Sequence, residues 1–143
     1  VHSGENYFNA SNQIEKKQEM AEALDWLIKR ELRSFSLKRW LRAYFTFGLR
    51  EFILTGRRIL PDYSGEYNLF IDPEGKIYPS DIASRKIGNL RHGFSNLASA
   101  SANENPSWMI CTARTAIRKH WLKFIFWFVK NFFAIHYENF ANK

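Results

Sequence analysis

The chain has 143 residues, of which 45% are hydrophobic and 17% aromatic, enough to build the core of a single domain. Its single cysteine excludes an intramolecular disulfide, and therefore a scaffold stabilised by disulfides. The net charge of +7 comes from residues 75–143, with ten basic and three acidic side chains, because residues 1–74 carry eleven of each. Such asymmetry occurs in proteins that contact nucleic acid, anionic membranes or acidic partners. The basic residues are dispersed, however, which favours an ordinary solvated surface and makes a nucleic-acid partner the less favoured interpretation.

Two helices are predicted in the first third of the chain. Residues 12–33 repeat apolar side chains at three- and four-residue spacing, which is typical of an amphipathic helix. A second helix is predicted over residues 37–54, capped by Ser36 and ended by Gly56. Gly48 interrupts it at a cost of about 1 kcal/mol relative to alanine, and we expect close packing at that position.

A β-hairpin is predicted next. Residues 66–71 alternate between two faces, with Tyr67, Leu69 and Ile71 on one and Asn68 and Phe70 on the other, which is a strand pattern. Asp72-Pro73-Glu74-Gly75 is a strong turn sequence, because proline fixes φ at the second position and glycine allows positive φ at the fourth. Residues 76–78 form the returning strand.

The rest of the chain is predicted to be mainly helical. Residues 94–102 favour a short, weak helix, and the pattern from residue 108 to about residue 133 is helical. At His120 two helices either meet at a bend or continue as one, and both alternatives stay open.

Residues 121–135 form the most apolar stretch of the chain, with Lys123, Lys130 and Asn131 as its polar edge. Fifteen residues with two lysines fall short of the ~20 apolar residues that a membrane span needs. Burial against protein is favoured over an in-plane membrane helix, which remains an alternative. The predicted inward side consists of Leu122, Phe126, Val129 and Phe133. We predict that Phe124 and Phe128 are partly exposed and make a homodimer contact.

Two segments carry sequence motifs: LPDYSGEYNLFIDPEGKIYPSDIASRKIGNL at residues 60–90 and PSWMICTAR at residues 106–114. Together they resemble the auxiliary iron–sulfur region at the C-terminus of radical S-adenosylmethionine (radical SAM) proteins, the SPASM/Twitch type. The family pattern runs roughly C-x-A-G, I-D-P-x-G-x-V-Y-P-C, I-G-N-L and C-W-M-I-C-T-A-R, and its cysteines hold an iron–sulfur cluster. The resemblance implies an α+β fold, helix-rich overall, with a small antiparallel β-hairpin flanked by several helices.

Four positions match the cluster ligands of the family: Asp62, Ser80, Ser107 and Cys111. The resemblance implies a [4Fe-4S] cofactor where all four are cysteine, but here only Cys111 is. Cluster iron needs soft thiolate ligands, so three oxygen side chains predict that this chain carries no cofactor. We expect an empty pocket tied by hydrogen bonds from Asp62, Ser80 and Ser107, and natural loss and engineering of the cysteines both stay open.

Two other kinds of site were considered. Cys111 lies near a predicted helix start, where a thiol is either reactive or a small buried apolar group, and burial is favoured. The four histidines have no zinc-binding spacing, and no phosphate-binding glycine loop is present, so neither a metal site nor a nucleotide site is predicted.

The resemblance divides the chain into residues 1–58, similar to the end of a radical SAM barrel and its linker, and residues 59–143, similar to the auxiliary domain. The chain lacks the C-x-x-x-C-x-x-C loop of these enzymes, so alone it is predicted not to be an enzyme, although its parent protein would be. The expected function is to scaffold or bind a radical SAM catalytic domain or a peptide or protein substrate. The absence of a recognisable secretory signal predicts a cytoplasmic location. A basic nucleic-acid-binding module, and a peripheral membrane or partner-docking protein using the last helix, remain as alternatives.

Overall fold

In a computed structural model of the chain, residues 14–80, 86–92 and 107–141 are described, with side chains as far as Tyr137. The elements in these ranges are α1 (Lys17–Leu32), α2 (Leu37–Thr55), β1 (Phe70–Ile71), β2 (Lys76–Tyr78), β3 (Gly88–Asn89), a 3₁₀ turn (Leu90–His92), α3 (Ile110–Lys119) and α4 (Trp121–Ala141). The three strands form one antiparallel sheet in the order β1-β2-β3. The predicted α+β, helix-rich class is therefore confirmed. The weak helix predicted over residues 94–102 lies outside the described residues.

Helix α1 begins at Lys17, five residues later than the periodicity predicts. Residues 14–16 are not helical, and Lys16 at the N-cap makes no side-chain capping hydrogen bond. The buried side of α1 starts only at Ala21 and continues through Leu24, Ile28 and Leu32. Because most helical stability in proteins comes from packing of such a face, residues 14–16, which lie more than one turn before it, have little to hold them helical.

Helix α2 matches its predicted bounds to within one residue. Gly56 takes the left-handed conformation at φ 69°, and its N–H donates to the Phe52 carbonyl at 2.8 Å, as expected of a glycine that ends a helix. Ser36 occupies the N-cap in an extended conformation, but its hydroxyl makes no capping hydrogen bond.

The close packing expected at Gly48 is present, and the partner is Trp108. The indole is 4% exposed, and its Nε1–H donates to the Phe45 carbonyl at 2.8 Å. A Cβ atom at residue 48 would overlap the Cζ2 and Cε2 atoms of this ring. Gly48 therefore lets the segment before α3 lie directly on α2.

We expect Gly48→Ala to lower the free energy of unfolding by about 2 kcal/mol, although alanine is the better helix former. The indole cannot retreat without breaking its hydrogen bond to Phe45 or opening the core. Urea unfolding measures the loss. In a Trp108→Leu background the overlap is gone, so Gly48→Ala should there be neutral or stabilising. Stabilisation by the substitution in the native background would contradict the packing described.

The predicted turn at Asp72–Gly75 is confirmed, with Gly75 at φ 82° and its N–H donating to the Asp72 carbonyl at 2.9 Å. The first strand is shorter than predicted, because residues 64–68 form a separate turn closed by Gly65 N–H donating to the Asn68 carbonyl at 2.8 Å. The segment Ile87-Gly88-Asn89 adds a third strand on β2 that alternation did not indicate. Two residues are too few to show a period.

The Asp72 carboxylate braces this hairpin by accepting hydrogen bonds from the Lys76 amide at 2.8 Å and the Tyr78 hydroxyl at 3.3 Å. Desolvation raises the pKa of Asp72, but these hydrogen bonds and the Lys76 charge outweigh it and hold the pKa below its ordinary value. Because the pKa of Asp72 is lower in the folded state, its ionised carboxylate stabilises the fold at pH values above the unfolded-state pKa of about 3.9. This stabilisation is lost as the pH falls through the folded-state pKa. NMR titration should show this shift, and an ordinary or raised Asp72 pKa would contradict it.

Helices α3 and α4 meet at His120, whose φ of −114° and ψ of 38° interrupt the helix. The rotation of α4 is opposite to the prediction. Phe124 is buried at 4% exposure, whereas the predicted inward residues are exposed: Leu122 54%, Phe126 75%, Val129 44% and Phe133 60%. The partial exposure predicted for Phe124 is therefore wrong, whereas Phe128 is partly buried and packs against the same core. The homodimer contact through these two rings stays a prediction.

The inward side of α4 is chosen by aromatic packing on α2. Phe128 lies 4.2 Å from the Trp40 ring, Trp127 lies 5.2 Å from Phe47, and Phe124 lies 5.5 Å from Tyr44, all between ring centroids. These contacts with the rings of α2 determine which side of α4 faces inward. Among the described residues, no helix is long and apolar enough to cross a membrane.

Candidate functional site

The candidate site is built around Arg58, two residues after the glycine that ends α2. Its side chain is only 6% exposed, which is unusual for a charged group. The guanidinium lies over the Trp108 ring, 5.2 Å from its centroid. It donates hydrogen bonds to the carbonyls of Leu60 (3.2 Å), Pro61 (3.3 Å) and Ser107, and to the Thr112 hydroxyl (3.1 Å).

Asp62 supplies the opposite charge. Its Oδ2 lies 3.4 Å from Arg58 Nη1, and its side chain is 14% exposed. Its Oδ1 accepts hydrogen bonds from the Ser64 amide at 3.0 Å and the Ser64 hydroxyl at 2.7 Å. The carboxylate is thus positioned by its own turn and directed at the guanidinium.

Burial lowers the pKa of Arg58, while the nearby Asp62 and Cys111 act in the opposite direction. Because an arginine side chain loses its proton only far above neutral pH, Arg58 stays protonated throughout the physiological range. The site therefore contains a permanent, largely desolvated cation with one carboxylate and several carbonyl oxygens around it.

Two of the four predicted positions contact this cation. Asp62 pairs with it and Ser107 gives it a backbone carbonyl, while Cys111 is linked to it only by the electrostatic effect on the pKa of Arg58. Ser80 is buried and follows β2 by two residues. Within the described part of the chain the hydroxyls of Ser80 and Ser107 have no hydrogen-bond partner, so the predicted tie through them is not found there.

Cys111 is exposed, which corrects the expectation that it is a small buried apolar group. It is the second residue of α3, whose inward side is taken by Thr112, Ala113, Ala116 and Ile117. The thiol lies on the adjacent outward side and is accessible to solvent.

Sequence reasoning missed Arg58, because an Arg-Arg pair following a helix is typical of solvated charges. The available signal was the spacing: Arg58 and Asp62 are four residues apart and bracket the short apolar stretch Ile59-Leu60-Pro61. An open depression of about 470 Å³ lined by residues 56–62 lies beside the pair.

A second polar cluster fixes the loop that carries Asp62. The Tyr63 hydroxyl shares a 2.7 Å hydrogen bond with His120 Nε2. Lys119 lies over the rings of Tyr63 and Tyr67, 4.5 Å and 3.7 Å from their centroids, and donates to the Tyr67 hydroxyl. That hydrogen bond raises the pKa of Lys119. The junction between α3 and α4 thereby holds the turn after Asp62 in place.

This arrangement is suited to holding segments of the chain together. The guanidinium of Arg58 contacts Asp62 and the backbone of Ser107, and both of these residues carry hard oxygen groups rather than soft thiolates. Among the described residues, no group of three or more His, Cys, Asp and Glu side chains is arranged to hold a metal ion.

Comparison with family models, with curated proteins and with solved structures finds no match to the chain.

Proposed function

We propose that the chain is a cluster-free auxiliary module of the SPASM/Twitch type, belonging to a cytoplasmic radical SAM protein, and that it scaffolds or binds a partner rather than catalysing. The observation that carries the proposal is that Asp62 and the Ser107 carbonyl, 45 residues apart in sequence, both contact the buried guanidinium of Arg58. The hairpin turn at Asp72–Gly75, which belongs to the same family pattern, supports it further.

Arg58 does in this module what a metal cluster does elsewhere: it connects segments that are distant in sequence. Its guanidinium joins the residues after α2, the turn at Asp62 and the start of α3, through four hydrogen bonds and an ion pair. The planar, multi-donor shape of arginine suits this role, and hydrogen bonds from a charged donor are about twice as strong as neutral ones. The fold thus stays closed without iron.

The sheet offers a surface for a peptide or protein. Among the strands of the described residues, β1 lies at one edge of the sheet, and the apolar side chains Leu69 and Ile71 are 41% and 43% exposed. An edge strand pairs readily with an added extended segment, whose alternate side chains then contact the exposed apolar residues. We therefore place the partner, a peptide substrate or a segment of the catalytic domain, along β1.

Iron content tests the cofactor part of this proposal. After anaerobic reconstitution with iron and sulfide, the native chain should remain colourless and hold no stoichiometric iron. A brown protein with stoichiometric iron would overturn it. The coding sequence upstream of Val1 tests the assignment, since it should encode a C-x-x-x-C-x-x-C barrel.

The binding part is tested with that upstream barrel as the titrant in calorimetry. Leu69→Lys together with Ile71→Lys should weaken binding at least tenfold, because two charges would enter the apolar contact. Met20→Lys, on an equally exposed apolar residue of α1, is the matched control and should leave binding unchanged. Equal affinity of all three proteins would remove β1 as the contact.

A further inference from the structure

The outward side of α4 is apolar along the whole described length of the helix. Its large side chains are 37–78% exposed and comprise Leu122, Ile125, Phe126, Val129, Phe133 and Tyr137. At 3.6 residues per turn these six positions fall within an arc of about 120°. The arc is continuous and faces away from the core formed by Phe124 and Trp127.

The exposed apolar area of this face is larger than that of scattered single side chains. Phe126, Phe133 and Tyr137 are 75%, 60% and 78% exposed. Because an aromatic side chain presents ~200 Å², these three alone leave roughly 400 Å² of ring surface in water. Contiguous apolar patches of that size on a soluble domain usually mark a contact with another surface.

One border of the apolar arc is basic. Lys130 and Lys123 follow Phe126 and Tyr137 around the helix, within about 60° of the last apolar position. Both lysines are exposed, and neither forms an ion pair with any residue in the described part of the chain. Residues 110–141 contain five basic side chains and a single acidic one, Glu138.

Charge decides what covers this face. In a symmetric pair of copies the same patch meets itself, so the lysines of both chains and two net charges of +7 would be brought together. An anionic lipid surface instead offers hydrocarbon for the rings and phosphates for the lysines, whose aliphatic stems reach along the apolar side. The face is thus complementary to anionic lipid and repels its own copy.

We propose that α4 lies flat in the surface of an anionic bilayer, with Phe126 and Phe133 inserted among the acyl chains and Lys123 and Lys130 on the headgroup phosphates. A helix with an apolar side bordered by lysines binds in the plane of the membrane surface. This attachment is independent of Arg58 and leaves β1 available for a partner.

Vesicle flotation of the full chain tests the proposal. We expect binding to vesicles of phosphatidylcholine with phosphatidylserine, little binding to phosphatidylcholine alone, and weakening as salt rises. Phe126→Ser with Phe133→Ser should lower the partition coefficient by roughly a hundredfold or more, through lost ring burial. Lys123→Ser with Lys130→Ser should lower it by roughly 30-fold at low salt.

Matched controls on the other helices distinguish binding through this face from non-specific binding through any exposed apolar or basic residues. Trp26→Ser with Leu37→Ser removes two side chains that are each 60% exposed, and Lys29→Ser with Lys38→Ser removes two exposed lysines. Both controls should bind vesicles like the native chain, and circular dichroism confirms folding. The proposal would be overturned if the native chain did not bind vesicles, or if the controls lost as much binding as the α4 variants. It would also be overturned if light scattering showed self-association that the phenylalanine substitutions abolish, without any vesicle binding.

Discussion

Arg58→Met should lower the free energy of unfolding by about 3–5 kcal/mol, the range found when one partner of a buried ion pair is removed. Methionine fills much of the same volume, so the loss reports on charge and hydrogen bonding more than on packing. The Asp62 carboxylate would lose its cation, and the carbonyls of Leu60, Pro61 and Ser107 would lose a charged donor. Urea unfolding followed by circular dichroism measures the effect.

The neighbouring arginine provides the control. Arg57 is exposed, so Arg57→Met should change stability by no more than about 0.5 kcal/mol. Arg58→Lys keeps the charge but not the planar fork of donors, and should fall between the two. Equal effects at residues 57 and 58 would mean that Arg58 holds nothing together.

Phe124→Ala should cost about 3–5 kcal/mol, because it leaves a cavity in the aromatic core between α2 and α4. Phe124 is 4% exposed and its ring lies 5.5 Å from that of Tyr44 and 6.1 Å from that of Phe128. Phe126→Ala, two residues away in the same helix, should cost less than about 0.5 kcal/mol because its ring is 75% exposed.

This pair of substitutions decides the rotation of α4. The reverse order, with Phe126→Ala the costly change, would place the predicted side of the helix inward. Thermal and urea unfolding of both variants give the comparison, and the native chain sets the reference for each.

Local chemistry allowed several elements to be predicted from the sequence. The proline and glycine of the Asp72–Gly75 turn dictate its backbone conformation, and Gly56 ends α2 because it alone readily takes positive φ. Gly48 signalled a close approach, although only the structure identifies Trp108 as the neighbour. These features depend on a few adjacent residues, which is why sequence alone suffices.

The features that depend on distant contacts were missed. In α4 both sides are apolar, so periodicity cannot choose between Phe124 and Phe126, and the choice is made by rings on α2. Arg58 looks like a surface charge until the segment at Ser107 folds over it. At the candidate site, two of the positions proposed from the family pattern, Asp62 and Ser107, contact one centre, but the family pattern did not indicate Arg58, the residue at that centre.

Restoring the cysteines is the most direct test of the central claim, that Asp62, Ser80, Ser107 and Cys111 occupy the ligand positions of a lost cluster. The variant Asp62→Cys, Ser80→Cys, Ser107→Cys would be reconstituted anaerobically with iron and sulfide, with and without Arg58→Ser to clear the guanidinium. We expect a brown protein with about four irons per chain in the variant that lacks Arg58, and no iron in the native chain. If both variants fold, as judged by circular dichroism, yet bind no iron, the four positions do not form a cluster site and the account is contradicted.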